Sequence, residues 1–309
     1  MEVGRNMNKY FEDKLNFMHN VTYPYIYQIE VTDVCNLKCP ACLNKDIKNK
    51  GFIDMKLLDM IIEKNYLRNT PYVELQMAGE PMLDAHIEKI VQKIKNTSTM
   101  VGLSTNLSLV DMRVFNILDA ITISFDTFNE KEYEISRYPQ KWNTFILNLT
   151  YFLENINKEV MVYIQLLLTK WTKNTFFASK KRLELFIKRF DKKNIFIRYV
   201  DDCFIENRNE KSNFKRERDI CLNPFLSVSI KNDGTVVPCC FDFMKHLPLG
   251  NLYKQDLLEI WESKTIQELR KKHRKGKGLS WKCKSCYYRS PILLLQSFLA
   301  DLVKFKKGL

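Results

Sequence analysis

The chain has 309 residues, 45% of them hydrophobic, and carries 49 Lys or Arg against 36 Asp or Glu, a net charge of +13 at pH 7. That apolar content supports a sizeable core and excludes wholesale disorder, and the length suits one large domain, or a large one with a small one. The longest apolar stretch, residues 291–303, is broken by Gln296, Ser297 and Asp301 and falls short of the ~20 residues that span a bilayer.

Residues 1–24 read as an N-terminal extension. Their opening, MEVGRNMNKYFEDKLNF, is charged and has no apolar run, so no secretory leader is expected. Tyr25 to Thr32 alternates and is rich in β-formers, which predicts strand one. The next stretch, Val31 to Asn44 (VTDVCNLKCPACLN), sets Cys35, Cys39 and Cys42 in a C-x3-C-x2-C array. Asp54 can cap a helix that carries Leu58, Ile61 and Ile62 on one face. Tyr72 to Met77 predicts a second strand, closed by Ala78-Gly79-Glu80-Pro81. Ile87, Ile90, Val91 and Ile94 recur at helical spacing. Met100 to Ser104 is strand three, Val110 to Ile117 a short helix, and Ala120 to Phe125 strand four. Phe145, Leu149, Phe152 and Ile156 stripe a helix, and Val160 to Leu168 is strand five. Leu183, Phe186, Ile187 and Phe190 stripe another helix before strand six, Ile195 to Val200.

Such alternation of strands and helices predicts a parallel sheet with right-handed crossovers. Six units are too few for a closed eight-stranded barrel. The expected fold class is therefore α/β, a partial (β/α)6 barrel over residues 25–200, with its chemistry at the C-terminal ends of the strands. Residues 201–220 are polar and read as a linker. A small α+β unit is expected over 221–288. In it, Phe225 to Ile230 and Thr235 to Pro238 flank Asn232-Asp233-Gly234, a hairpin signal. Residues 254–273 predict one helix with Leu257, Leu258, Trp261 and Leu269 on its apolar side. Of residues 289–309, 291–305 read as an amphipathic terminal helix docked on the barrel. From Lys264 to Lys284 there are nine Lys or Arg and one acid, Glu268. That run reads as a solvated face, or as the seat of an anionic partner such as a phosphorylated substrate, a peptide or RNA.

Nine cysteines in a chain without a leader point to metal binding in a reducing, cytoplasmic compartment rather than to disulfides. Three thiolates from Cys35, Cys39 and Cys42 can hold three irons of a [4Fe–4S] cube, leaving one iron open to a ligand that is not protein. A closed zinc site takes four ligands, and no histidine lies between Cys35 and Cys42 or in the forty residues after them. Scattered core cysteines or a zinc site remain the alternative. Cys221, Cys239, Cys283 and Cys286 form a second set that can complete a cube with no open iron. A four-cysteine zinc ribbon is the alternative there, although Cys221 and Cys239 lack the C-x2-C spacing of a ribbon knuckle.

The first array, with Ala78-Gly79-Glu80-Pro81 placed after strand two, resembles the cluster loop and SAM-binding turn of the radical S-adenosylmethionine (SAM) superfamily. The pattern C-x12-G-x4-C followed by C-x2-C resembles the SPASM or twitch domain that follows many of these barrels. The resemblance implies two [4Fe–4S] clusters, one on Cys35, Cys39 and Cys42 and an auxiliary one on Cys221, Cys239, Cys283 and Cys286. It also implies SAM cleavage to methionine and a 5′-deoxyadenosyl radical. Ala78, Gly79, Glu80 and Pro81 would hold the SAM amino group through their backbone, although Ala78 stands where the family usually has Gly. Thr105 and Asn106 correspond to the family's Thr-Asn-Gly, with Leu107 in place of that Gly. Ser124 corresponds to the polar residue that contacts the SAM ribose.

Cys240 is either a buried inert thiol or a hydrogen-atom donor to a substrate radical, and Cys203 is the other cysteine outside both sets. Asp242 is a candidate base and Arg198, at the end of strand six, a candidate anion clamp; either could equally be a surface salt-bridge residue. The expected activity is oxidation of a small polar, sugar- or cyclitol-like substrate, with the auxiliary cluster accepting an electron. Only about 25 residues precede the barrel, so no peptide-recognition domain is expected there. An external electron donor of flavodoxin or ferredoxin type is implied. The competing readings are a ribosomal-peptide maturase and a non-catalytic iron–sulfur or zinc protein that binds nucleic acid through its basic run; nucleic acid is the less favoured partner.

Overall fold

The period-two runs fold into β1 (Tyr25–Ile29), β2 (Tyr72–Glu74), β3 (Met100–Thr105), β4 (Ala120–Ser124), β5 (Met161–Leu168) and β6 (Ile195–Asp201). The computed structural model describes residues 21–190, 192–201, 221–242, 244–280 and 283. Most of the expected N-terminal extension and linker, Cys203, Cys286 and the terminal helix lie outside the described residues. All six strands are parallel and lie side by side in chain order, the order of an open (β/α)6 barrel.

Between them run α1 (Met55–Glu63), α2 (Ile87–Lys95), α3 (Met112–Phe115), α4 (Glu130–Ser136), α5 (Trp142–Asn155) and α6 (Phe176–Ile187). Asp54, Asp111 and Asn129 start α1, α3 and α4 by accepting a hydrogen bond from a backbone N–H of the first turn, as good caps do. The stripe Ile87, Ile90, Val91 and Ile94 of α2 is fully turned to the sheet, each side chain contributing about 1.5–3 kcal/mol by its burial. Helix α4 carries only two buried residues, Tyr133 and Ser136, too few for a periodic signal, and it was not expected.

The small unit departs from expectation in two ways. Phe225 and Leu226, expected as the start of a strand, lie instead in the helical turn α7 (Asn223–Leu226), with Pro224 in its first turn where proline suits a helix. The expected helix over 254–273 is two, α8 (Leu257–Glu262) and α9 (Lys264–Lys275). Ser263 sits between them with extended backbone and caps α9, so the chain turns there.

The hairpin forms as β7 (Ser227–Ile230) and β8 (Thr235–Val237), with Gly234 at φ +78 in its turn. It does not stand apart from the barrel. β7 pairs parallel with β1, and β8 pairs antiparallel with β7 and with β9 (Gly250–Asn251), so one sheet runs β6-β5-β4-β3-β2-β1-β7-β8-β9. The main core lies between this sheet and the helices. A second core fills the base of the inner face, where Tyr72, Ala120 and Met161 meet Leu222, Phe225 and Leu226. Among the described residues no helix is long and apolar enough to cross a membrane.

Candidate metal centre and active site

The cysteine loop leaves the C-terminal end of β1 and is fixed by backbone and amide contacts. The Asn44 amide donates to Asp33 O (2.7 Å) and Ala78 O (2.8 Å), and Lys50 Nζ donates to Asn44 Oδ1 (2.6 Å). Asn106 Nδ2 donates to Asn36 Oδ1 (3.0 Å) and lies 4.0 Å from Cys35 Sγ. Cys35, Cys39 and Cys42 are all half-buried. The Leu37 N–H points at Cys35 Sγ (3.5 Å) and the Asn44 N–H at Cys42 Sγ (3.4 Å). Burial pushes the Cys35 thiol up and the Cys39 thiol to about 11, while the Arg137 guanidinium works against both rises. Backbone donors on two sulfurs and a cation beside the third favour thiolates. These are the surroundings that a thiolate-bound iron–sulfur cluster uses, so this donor set fits one.

The turn after β2 locks onto the loop. Gly79 has no room for a side chain: a Cβ there would lie 2.3 Å from Thr32 O and 2.6 Å from Val34 O. Glu80 N–H donates to Val34 O (2.9 Å). The Glu80 carboxylate, 2% exposed, accepts from Asn106 N–H (2.6 Å), the Thr105 hydroxyl (2.8 Å) and Met82 N–H (3.2 Å). Burial pushes this carboxyl up to about 7. Thr105 also accepts from Leu107 N–H, so its hydroxyl holds the turn rather than standing open. Leu107 keeps the left-handed backbone (φ 57) that glycine favours, and its side chain is fully buried. Ser124 ends β4, half-buried.

Inside the sheet the register aligns Glu74 with Gly102, Ser104 with Thr122 and Tyr163, and Ser124 with Gln165 and Arg198. Ser104 Oγ donates to Glu74 Oε1 (2.7 Å), and the Tyr72 hydroxyl donates to Glu74 Oε2. Gly102 makes this possible, because a Cβ there would lie 1.9 Å from the Tyr72 hydroxyl. Burial raises the Glu74 carboxyl, and the Arg198 charge opposes that rise. Arg198 lies in the middle of strand six, whose observed bounds differ from the expected ones by one residue. It is the fourth residue of β6 (Ile195–Asp201), with its guanidinium over the Tyr163 ring at 4.2 Å, inside the polar cluster.

The second cysteine set is distributed. Cys221 precedes α7, Cys239 and Cys240 follow β8, and Cys283 follows α9; all four are half-buried. Cys286 lies outside the described residues. Cys240 is close enough to Tyr27 for its charge to act on that phenol, which places it toward the inner face of the sheet. Asp242, the candidate base, has a structural part in its loop. It is buried, and its two oxygens accept from His246 N–H (2.9 Å) and Leu247 N–H (2.7 Å), holding the loop that follows the cysteines.

Sequence reasoning missed three contributors. Arg137 forms a buried ion pair with Asp126 beside Cys39. Glu74 looks like any acid in a strand until the register turns it inward. Lys231, at the tip of the β7–β8 turn, forms a fully buried ion pair with Glu30, while its neighbour Asn232 donates to Asp33 Oδ1 (3.0 Å) and Gly51 O (2.9 Å). The hairpin thus braces the base of the cysteine loop across some 200 residues of chain.

Residues 29–182 match the radical SAM superfamily model, and residues 221–287 match an iron–sulfur cluster-binding domain model, SPASM. Solved structures share the fold. BtrN in complex with AdoMet and 2-DOIA aligns at 16% identity, covering 85% of this chain and 93% of that one, with a TM-score of 0.55. The anSMEcpe enzyme with bound AdoMet aligns at 17% identity over 86% of this chain and 84% of that one, TM-score 0.62. Streptococcus suis SuiB bound to precursor peptide SuiA aligns at 17% identity over 91% and 73%, TM-score 0.54. Sequence models, strand order and cysteine loop agree: the chain belongs to the radical SAM superfamily and carries a C-terminal SPASM-type iron–sulfur domain.

Proposed function

We propose that this radical SAM enzyme oxidises a small polar substrate, sugar- or cyclitol-like, held against the polar inner face of the sheet. Cys35, Cys39 and Cys42 hold the SAM-binding cluster, and Cys221, Cys239, Cys283 and Cys286 hold one auxiliary cluster. The barrel spans residues 25–200 and the auxiliary unit 221–288. When bound, the cluster and SAM supply a 5′-deoxyadenosyl radical that takes a hydrogen atom from the substrate. The protein's part is to aim and enclose. Glu80 fixes the two turns that flank the cysteine loop. Gly79 brings the β2 turn against the loop, where Ala78 and Pro81 shape the SAM amino site. Ser124 faces the ribose, with Thr105 and Asn106 holding the turn beneath it.

The observation that carries the substrate reading is the half-buried cluster of Glu74, Ser104 and Arg198 around the buried Tyr72. Carboxylate, hydroxyl and guanidinium groups on one inner face suit the hydroxyl or amine groups of a small polar molecule. Electrons arrive from a flavodoxin- or ferredoxin-type donor in the cytoplasm. A peptide substrate is the second reading. It is favoured by solved neighbours of this fold that carry peptides, SuiB with SuiA and anSMEcpe with a Cp18Cys peptide.

The test uses Cys283→Ala in anaerobic, reconstituted protein with a deuterated candidate substrate. The proposal predicts continued SAM cleavage and deuterium transfer into 5′-deoxyadenosine, with little oxidised product, because the auxiliary cluster no longer accepts the electron. Product at the wild-type rate rejects that role for the cluster. Turnover of a precursor peptide but of no cyclitol or sugar selects the second reading.

A further inference from the structure

Helix α9 (Lys264–Lys275) carries six Lys or Arg and one acid, Glu268. Two of its arginines, Arg270 and Arg274, line a pocket of about 270 Å³ together with Phe225, Trp261, Glu262 and Gln267. The Arg270 guanidinium lies 4.0 Å from the centre of the Trp261 ring, and that of Arg274 lies 5.1 Å from the centre of Phe225. Arg270 is 8% exposed. Its Nε donates to Pro224 O (2.8 Å), while its buried Nη2 has no hydrogen-bond partner. Among the described residues neither arginine forms an ion pair, and Glu262, the one acid lining the pocket, pairs with neither.

Burying a cation without a close, hydrogen-bonded counter-ion is costly. The cost is visible here: burial, with Arg274 adding repulsion and Glu262 only partly offsetting the two, pushes the Arg270 guanidinium down to about 10. An oxyanion would reverse both effects, since the guanidinium fork matches carboxylate and phosphate oxygens. The aromatic walls hold the two forks in place.

The pocket is not part of the site described above. It also involves Val21 and Thr22, which precede β1, and Phe225, which precedes the parallel strand β7. It therefore opens at the N-terminal end of the sheet. The cysteine loop leaves the opposite end, a strand length of roughly 17 Å away.

We propose that this pocket binds an oxyanion group, a phosphate or a carboxylate, on a ligand separate from SAM and from the reacting substrate. Bound there, the anion ties α9 to the α7 turn (Asn223–Leu226), which follows Cys221 after Leu222. Its binding therefore steadies the cysteine-bearing second unit.

The experiment is calorimetric titration of the anaerobically reconstituted full chain with inorganic phosphate and, separately, with citrate, at ionic strength held constant with sodium chloride. Saturable binding of one or both anions is expected, and the tighter one names the group. Arg274→Gln should weaken it by about tenfold or more, the loss of one charge-assisted contact. Arg274 is exposed, so this variant avoids the folding risk of replacing Arg270. Lys271→Gln, on the exposed side of the same helix, should change affinity less than about threefold. No saturable binding of either anion overturns the proposal. So does equal weakening by the two variants, which marks a diffuse basic surface, and so does unchanged affinity in Arg274→Gln.

Discussion

Cys35, Cys39 and Cys42 come from one short loop that the rest of the protein holds in place, whereas Cys221, Cys239 and Cys283 come from three separate places in the chain. The first loop is pinned by Glu80 N–H on Val34, by Asn44 on Asp33 and Ala78, by Asn106 on Asn36 and by Asn232 on Asp33. Of the second set, Cys221 lies just before α7, Cys239 just after β8 and Cys283 well beyond α9, elements of three to twelve residues. The first site is thus organised by the fold before any metal arrives. The second would gather thiols from distant parts of a small unit and rely more on a bound cluster to hold them, as small metal domains do. The β7–β8 hairpin joins the two, because its strand extends the barrel sheet and its tip touches the cysteine loop.

Severing that joint should give the largest effect on stability. Lys231→Met leaves the fully buried Glu30 without its partner, which should cost about 3–5 kcal/mol in anaerobic urea unfolding. A loss under about 1 kcal/mol would mean that the hairpin tip does not brace the loop. Glu80→Gln keeps the shape of the turn but sets an amide against buried donors. It should cost about 1–3 kcal/mol and weaken SAM binding, while iron content stays at the wild-type level. Loss of iron together with SAM affinity would show that Glu80 holds the cysteines themselves, and the two regions would then be more alike than the contacts suggest.

The smallest expected effect is on pH dependence. Burial raises the Glu30 carboxyl to about 7, against 4.5 for an exposed one, with Lys231 opposing the rise. The folded chain therefore binds more protons than the unfolded chain between those values. The contribution of Glu30 is fully present below pH 4.5 and is lost as pH rises through about 7. Glu30→Gln removes that dependence, so wild type should lose up to about 1.4 kcal/mol more per pH unit across this window. Parallel stability curves for the two proteins would contradict the assignment.

The alternation of strands and helices was legible because most barrel units carry their own period, and α1, α3 and α4 a side-chain cap. Ile87 to Ile94 announces α2, and Asp54 announces the start of α1. The cysteine loop was legible because its three thiols are close in sequence. What stayed hidden depends on pairing at a distance. Nothing local marks Lys231 as the partner of Glu30, or Ser227–Ile230 as a neighbour of β1. Strand six was legible to within one residue, but that Arg198 stands over Tyr163 in the Glu74 cluster emerges only from the register. That Asp242 also accepts from the backbone N–H groups of His246 and Leu247 was hidden, because nothing local marks a carboxylate beside two cysteines as a loop anchor. The break at Ser263 was hidden by the good helix formers around it, although serine is itself a capping residue.

The central claim is that two independent iron–sulfur sites stand on these two sets of cysteines. Iron and zinc analysis of the anaerobically reconstituted Cys35/Cys39/Cys42→Ala triple variant tests it most directly. Wild type should hold about eight irons per chain and the variant about four, with no zinc. Iron unchanged in the variant, iron lost altogether, or zinc in place of the remaining four would contradict it.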